Sequence, residues 1–276
     1  MPELPEVEVL VRHLAPLVKN RKIQRVDVRR PRIVAPTEVE EFSRTLRGAT
    51  FGGLSRRGKY LMFAMRGRDH KEFPLLGHLG MTGRMYLSPA KNSLPKHAAV
   101  VLGLGAENFV FEDARYFGRL TLDTQPVAAL GPEPLGDAFT AEYFSGALQR
   151  STQPVKVKLL DQQLVAGVGN IYASEALFRA GISPKLPARR LKPPQIARLR
   201  QTIRETLRDA IKRGSTIPSG EGNVDGLFYS GSGPDFYEER LRVYDRAGKP
   251  CRTCGSLIKR IVQSARSTFY CPKCQR

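Results

Sequence analysis

The chain has 276 residues and a mass of 30.8 kDa, longer than one typical domain of about 100–200 residues, so two or three domains are expected. Hydrophobic residues make up 41% and are spread throughout, which excludes a disordered tail protein, and no window approaches the roughly 18 consecutive apolar residues of a membrane span. Forty-five Lys and Arg against 26 Asp and Glu give a net charge of +19 and a pI near 10.2, far beyond what solubility needs, so the expected partner is a polyanion.

In chain order, the start MPELPEVEVL carries acids where a secretory signal has basic residues, and no export is expected. Pro5 suits a first helical position, Glu6 and Glu8 favour the N-terminal dipole, and Val7, Leu10, Val11, Leu14, Leu17 and Val18 form one apolar stripe. This helix is expected to pack on a core. Short runs rich in β-branched and aromatic residues follow, such as Ile23–Val28, Tyr60–Met65 and Phe109–Phe111, which points to an antiparallel sandwich over residues 1–125. Residues 121–134 read as a linker.

From about 135 the periodicity turns helical. Phe139, Tyr143, Phe144 and Leu148 mark one helix face, and Ile196 to Ile211 a long helix introduced by Pro193 and Pro194 and ended by Gly214. Between them, Gly167-Val168-Gly169-Asn170 leads into Ile171–Phe178, with Gly181 as expected C-cap, so a helix, a glycine-rich turn and a helix are predicted. Such a turn can cradle a phosphate on free backbone N–H groups, or it can be purely structural with Asn170 as an N-cap. The glycine-rich stretch 215–234 has no periodicity and is expected to be a mobile functional loop or a disordered connector. The last thirty residues are expected to form a small separate unit.

Basic residues recur along the chain, at Arg29, Arg30 and Arg32, at Arg56, Arg57 and Lys59, from Arg198 to Arg213, and at Lys259, Arg260 and Arg266. Any one cluster is readable as a solvated face, but their sum fits a nucleic-acid footprint better than a membrane. Cys251 and Cys254, then Cys271 and Cys274, are two CxxC pairs with 16 residues between them, a spacing that converges four thiolates on one tetrahedral zinc. Two disulfides are the alternative, disfavoured in a chain with no secretory signal. The segment 256–270 alternates like a hairpin with Arg266 near its tip, where it could enter a DNA groove or be a solvated turn arginine.

The first residues carry the sharpest chemistry. Removal of Met1, expected before a small proline, leaves Pro2 with a secondary amine of pKa about 7.7–8.0. Such an amine can attack a sugar C1′ and form an iminium whose charge persists as an electron sink. Glu3 could then deliver a proton to the ring oxygen. The plainer alternative is that Pro2 and Glu3 only start a helix.

Taken together, PELPEVE at 2–8, RRGKYL at 56–61, HLGMTGR at 78–84, DARYFG at 113–118, GPEPLG at 131–136, VAGVGNIYASEALF at 165–178 and the C-terminal cysteine ribbon resemble bacterial formamidopyrimidine-DNA glycosylase, in that family's order over nearly the whole chain. The resemblance implies an α+β chain with an N-terminal β-sandwich and flanking helices (1–125), a helix–two-turn–helix DNA-binding domain with a lesion-capping loop (126–245, loop 215–236) and a zinc finger (246–276). It implies a bifunctional base-excision repair enzyme that removes formamidopyrimidines and 8-oxoguanine from duplex DNA and nicks the strand by β,δ-elimination.

Residue by residue, the resemblance makes Pro2 the Schiff-base nucleophile, Glu3 the proton donor, Lys59 the proton donor in β-elimination and Arg266 that of δ-elimination. Met81, Arg115 and Phe117 match the residues that fill the void left by a flipped base, whereas core packing is the plainer reading of Met81 and Phe117. His97, Lys156, Asn170, Arg115 and Arg266 match DNA contacts, and Glu6 and Glu175 match acidic pocket residues. Where the family often has a basic phosphate contact the chain reads Arg150-Ser151-Thr152, so Arg150 is the substitute candidate. The expected cofactor is one structural zinc ion and the expected partner damaged double-stranded DNA, with no membrane. A monomer in the bacterial cytoplasm, at the nucleoid, is expected. A related endonuclease VIII-like preference for oxidised pyrimidines is an alternative that the Met81, Arg115 and Phe117 triad argues against. A non-catalytic damage-binding paralogue is another, opposed by Pro2, Glu3 and Lys59.

Overall fold

A computed structural model describes residues 2–214 and 241–276. The chain divides into two compact units, residues 2–128 and residues 129–214 with 241–276. The predicted loop 215–236 lies outside the described residues.

The first unit opens with α1 (Leu4–Val18), capped by Glu3. Pro5 falls one position later than expected, inside the first turn, where its missing N–H costs no helical bond. Val7, Leu10, Val11, Leu14 and Val18 are buried, but Leu17 is 40% exposed and falls off the predicted stripe. After β1 (Arg25–Val28) and α2 (Val39–Leu46) come β2 (Thr50–Arg57), β3 (Tyr60–Arg66), β4 (Glu72–His78), β5 (Arg84–Pro89), β6 (Ala98–Gly103), β7 (Glu107–Glu112) and β8 (Arg119–Thr121). They form two antiparallel four-stranded sheets of order β1-β6-β7-β5 and β2-β3-β4-β8. The predicted sandwich is thus present, and its core is aromatic. Phe109 of one sheet meets Phe51 and Phe63 of the other at centroid distances of 5.9 and 5.7 Å, separations at which rings attract edge to face. The predicted linker starts within β8 and carries one helical turn, α3 (Gln125–Ala128).

The second unit contains α4 (Ala141–Gln149), α5 (Val155–Leu159), α6 (Asn170–Ala180) and α7 (Pro193–Gly214). The start of α4 is set by Thr140, whose hydroxyl accepts the Tyr143 N–H, and by Phe139 packed on Phe144 at 4.9 Å, a hydrophobic staple across the cap. Tyr143 is 38% exposed, not on the buried face, because its hydroxyl donates to the carbonyls of Gln163 and Leu164. Gly181 ends α6 at φ +68, as its position predicts. The cap at the other end is Gly169; Asn170 is the first helical residue, so it is not an N-cap.

At the C-terminus β9 (Lys259–Gln263) and β10 (Arg266–Tyr270) form the predicted hairpin. Contrary to expectation it does not stand apart. Phe178 of α6 packs on the finger core of Val243, Ile258 and Phe269, and Gln275 donates to the Ile182 carbonyl while Gln263 donates to that of Pro184. A thirty-residue ribbon buries little apolar surface of its own, and besides its four-cysteine site it draws on the core of its unit.

Candidate catalytic and nucleic-acid-binding site

Pro2 and Glu3 are both buried at the start of α1. Glu3 and Glu6 form a capping box, in which Glu6 Oε2 accepts the Glu3 N–H at 2.7 Å. Glu6 therefore fixes the backbone that presents Pro2. Lys59, 7% exposed, sits in the turn between β2 and β3. Ion pairs on Glu8 tie that turn to α1: Arg56 donates from Nε to Glu8 Oε2 and from Nη1 to the Gly58 carbonyl, each at 2.9 Å, and Arg12 donates to Glu8 Oε1 at 2.8 Å. Burial works to raise the Glu8 pKa, but the two guanidinium bonds outweigh it and the carboxyl is held below its usual range. At the end of β4, His78 stacks on Tyr60 at 4.7 Å. Burial, reinforced by the charges of Lys59 and Arg119, lowers its pKa to about 4, so this imidazole is neutral at cellular pH.

Two loops of the same unit carry the predicted void-filling residues. Met81 and Phe117 are 44% and 45% exposed, which decides against core packing. Arg115 is exposed with its guanidinium 5.0 Å from the Phe117 ring centroid. The loops are joined by Asp113, fully buried, which accepts from Thr82 Oγ1 (2.6 Å), the Arg115 N–H (3.1 Å) and the Gly118 N–H (2.8 Å). At Gly80, with φ +62, a Cβ would lie 2.6 Å from the Gly118 nitrogen, so the backbones touch as only glycine allows. Arg56, read from the sequence as part of the basic footprint, is instead bonded to Glu8 and the Gly58 carbonyl; the sequence did not single out the roles of Asp113 and His78, although Asp113 had a signal in the Asp-to-Gly spacing of 113–118.

In the second unit, Asn170 and Lys156 meet the hairpin. Lys156 is 1% exposed, and its ammonium donates to Asn170 Oδ1 (2.6 Å), Thr268 Oγ1 (2.8 Å) and the Ser267 carbonyl (3.1 Å). Asn170 also donates from Nδ2 to the Ser267 carbonyl. Lys156 thus lies beneath the surface, holding Asn170 and the hairpin together. Arg266 is exposed at the start of β10. Glu175 is 3% exposed and accepts the backbone N–H groups of Arg242, Val243 and Tyr244, each at 2.9 Å, so it holds the segment that enters the finger. Arg150, exposed at the end of α4, lines a cavity of about 510 Å³ with Tyr143 and Lys158.

The four cysteine sulfurs lie within 4.8 Å of one another, and none is disulfide-bonded. Zinc–thiolate bonds of about 2.3 Å place tetrahedral sulfurs about 3.8 Å apart, close to the 3.9 Å between Cys251 and Cys274 and the 3.4 Å between Cys254 and Cys271. Hydrogen bonds from Ser256 hold the Cys254 thiol down to about 6, whereas burial pushes Cys271 and Cys274 up. The donor set fits one structural zinc ion.

An aromatic-cored sandwich, a helix–two-turn–helix unit and a four-cysteine finger, with Pro2 and Glu3 buried at the start of α1, define the class of zinc-finger DNA glycosylases. Comparison with known proteins identifies which. Residues 1–120 match the formamidopyrimidine-DNA glycosylase N-terminal domain, residues 130–220 the formamidopyrimidine-DNA glycosylase H2TH domain, and residues 248–276 the zinc finger found in FPG and IleRS. The chain is 44% identical to the formamidopyrimidine-DNA glycosylase of Moorella thermoacetica, over 95% of this chain and 94% of that one, and 42% identical to that of Dinoroseobacter shibae over the whole of both. Among solved structures it is similar to the Lactococcus lactis enzyme non-covalently bound to DNA containing an abasic site, with TM-score 0.86 and 34% identity over 99% of both chains. The chain belongs to the formamidopyrimidine-DNA glycosylase family, and it is a base-excision repair glycosylase.

Proposed function

We propose that this chain removes oxidised purines, formamidopyrimidines and 8-oxoguanine, from duplex DNA and then nicks the strand by β,δ-elimination, as a monomer in the cytoplasm at the nucleoid. Relatives support the substrate, since the Lactococcus lactis enzyme has been solved with DNA containing Fapy-dG. The observation that carries the mechanism is the buried pair Pro2 and Glu3 at a capped helix start, in the same unit as the buried Lys59.

The Pro2 amine attacks C1′ as the bond from C1′ to the base breaks, and the base leaves with its electron pair and a proton. Glu3 donates a proton to the sugar ring oxygen, the ring opens, and the nitrogen is left as an iminium. Loss of a proton from C2′ expels the 3′ phosphate, and a further elimination expels the 5′ phosphate, with Lys59 and Arg266 as proton donors. Met81, Arg115 and Phe117 fill the vacated stack, which offsets part of an unstacking cost of a few kcal/mol. His97, Asn170, Arg150 and Arg266 hold phosphates, with Lys156 beneath Asn170 and the hairpin that carries Arg266. Glu6 orients the first turn of α1, and Glu175 holds the 242–244 backbone of the second unit.

The test is borohydride reduction during turnover. It should link the chain to lesion-bearing DNA with the adduct on Pro2. Glu3→Gln should lower base excision by roughly 10²–10⁴-fold and cleavage of a pre-formed abasic site much less. An adduct on Lys59 or Lys156, or full trapping by a chain that keeps Met1, overturns the mechanism.

A further inference from the structure

The turn 113–118 holds a residue that the reaction so far leaves unused. Tyr116 lies between the exposed Arg115 and Phe117 in left-handed backbone, φ +53, a conformation that a bulky residue keeps only where its surroundings hold it there. Two groups do. The Tyr116 ring faces the Arg30 guanidinium, 5.0 Å from the ring centroid, and its hydroxyl lies 3.4 Å from His97 Nδ1. The backbone reinforces the same corner, because the N–H groups of Arg29 and Arg30 donate to the Ala99 carbonyl, two residues beyond His97, and the Asp113 N–H donates to the carbonyl of His97 itself.

Arg30 is exposed between two further exposed arginines, Arg29 and Arg32, and among the described residues it makes no ion pair; its one side-chain bond is a long 3.5 Å donation to the Arg29 carbonyl. Stacking on an aromatic face leaves the N–H edge of a guanidinium open, the geometry in which arginine grips a phosphate. We propose that Arg30 is a further DNA-backbone contact of this chain and that Tyr116 is its positioning residue, one side chain that holds Arg30 by its ring and His97 by its hydroxyl beside the void-filling residues. This rests on the proposed reading of His97 and of the 113–118 turn as a DNA-facing surface.

The test uses the zinc-loaded full chain and a short duplex carrying a tetrahydrofuran abasic analogue opposite cytosine, with affinity measured over a range of KCl concentrations. Removing one phosphate contact lowers the slope of log affinity against log salt by about 0.9. Arg30→Ala should show that loss, Tyr116→Leu should reproduce it, and the double variant should lose no more. Tyr116→Phe should keep the full slope, since its ring still holds Arg30, yet make the added effect of His97→Ala smaller than in the parent chain. Arg44→Ala, an exposed charge on α2, is the control for net charge. An unchanged slope in Arg30→Ala, additive losses in the double variant, or an equal loss in Arg44→Ala overturns the proposal. If Tyr116→Leu fails to fold, Arg30→Ala and Tyr116→Phe still decide it. Failure of the glycosylase reading would appear separately, as absent base release and trapping in the parent chain.

Discussion

At the scale of single residues, the pH dependence of stability separates two half-buried ionisable groups. His78 titrates near 4 in the folded chain because of its burial and then the Lys59 and Arg119 charges, against about 6.5 when unfolded. Between these values the unfolded state binds the extra proton, so stability present above pH 6.5 falls as the pH drops towards 4, by on the order of 3 kcal/mol in all. Glu8 works lower. Its carboxyl is depressed by Arg56 and Arg12 in spite of burial, so its contribution is present above the unfolded value near 4.5 and is lost below it. Melting temperatures of the parent chain should therefore decline from pH 6.5 to 4.5, while those of His78→Gln should stay flatter over that window. Equal slopes would show that His78 is not held neutral. Neither group could be picked out beforehand, since a histidine or glutamate in the sequence does not disclose its burial.

At the scale of elements, two turns carry distinct consequences. The β9–β10 hairpin turns on Ser264 and Ala265, both at positive φ, +48 and +58, where Asn-Gly is the favoured pair. Each left-handed L-residue costs roughly 1–2 kcal/mol, partly recovered on substitution because glycine loses more chain entropy on folding. Ala265→Gly should stabilise the finger by about 0.5–1 kcal/mol, read as a higher urea midpoint for zinc release. The Gly80 and Gly118 contact acts in the opposite sense. Gly80→Ala would drive a Cβ to 2.6 Å from the Gly118 nitrogen and 2.7 Å from the Phe117 carbonyl carbon, displacing both loops, those that carry Met81 and Arg115 with Phe117. It should cost about 1–3 kcal/mol of stability and reduce lesion excision more than binding to undamaged duplex. Retained excision would mean that the loops move independently.

At the scale of the whole chain, charge and zinc dominate. A net charge of +19 predicts binding that weakens roughly 10³-fold or more between 50 and 200 mM salt if six or more phosphates are contacted; a flat response would remove the electrostatic argument. Zinc loss has a wider reach than a free-standing ribbon implies. Glu175 grips residues 242–244, Lys156 grips 267 and 268, and Gln275 grips Ile182, so the finger is built into the second unit. Cys271→Ser should release the metal and raise amide exchange across α5 and α6 as well as the finger, leaving the sandwich protected. Exchange confined to residues 246–276 would restore the picture of a separate finger.

What the sequence determined by itself was everything carried by short-range pattern. The β-branched runs became strands, Gly181 ended a helix, and two CxxC pairs converged on one point, because propensity, turn chemistry and ligand spacing act over a few residues. Whole motifs also sufficed to assign the family. Tertiary structure alone decided which polar groups face protein. Lys156 is spent on acceptors up to 112 residues away, Glu175 caps amides 67 to 69 residues on, and Tyr116 finds Arg30 on a distant turn. Leu17 and Tyr143 left their predicted faces for the same reason. A side chain's partner depends on which surfaces the sheets and helices bring together, and that is set by the packing of the whole unit, not by the residue's neighbours in the chain.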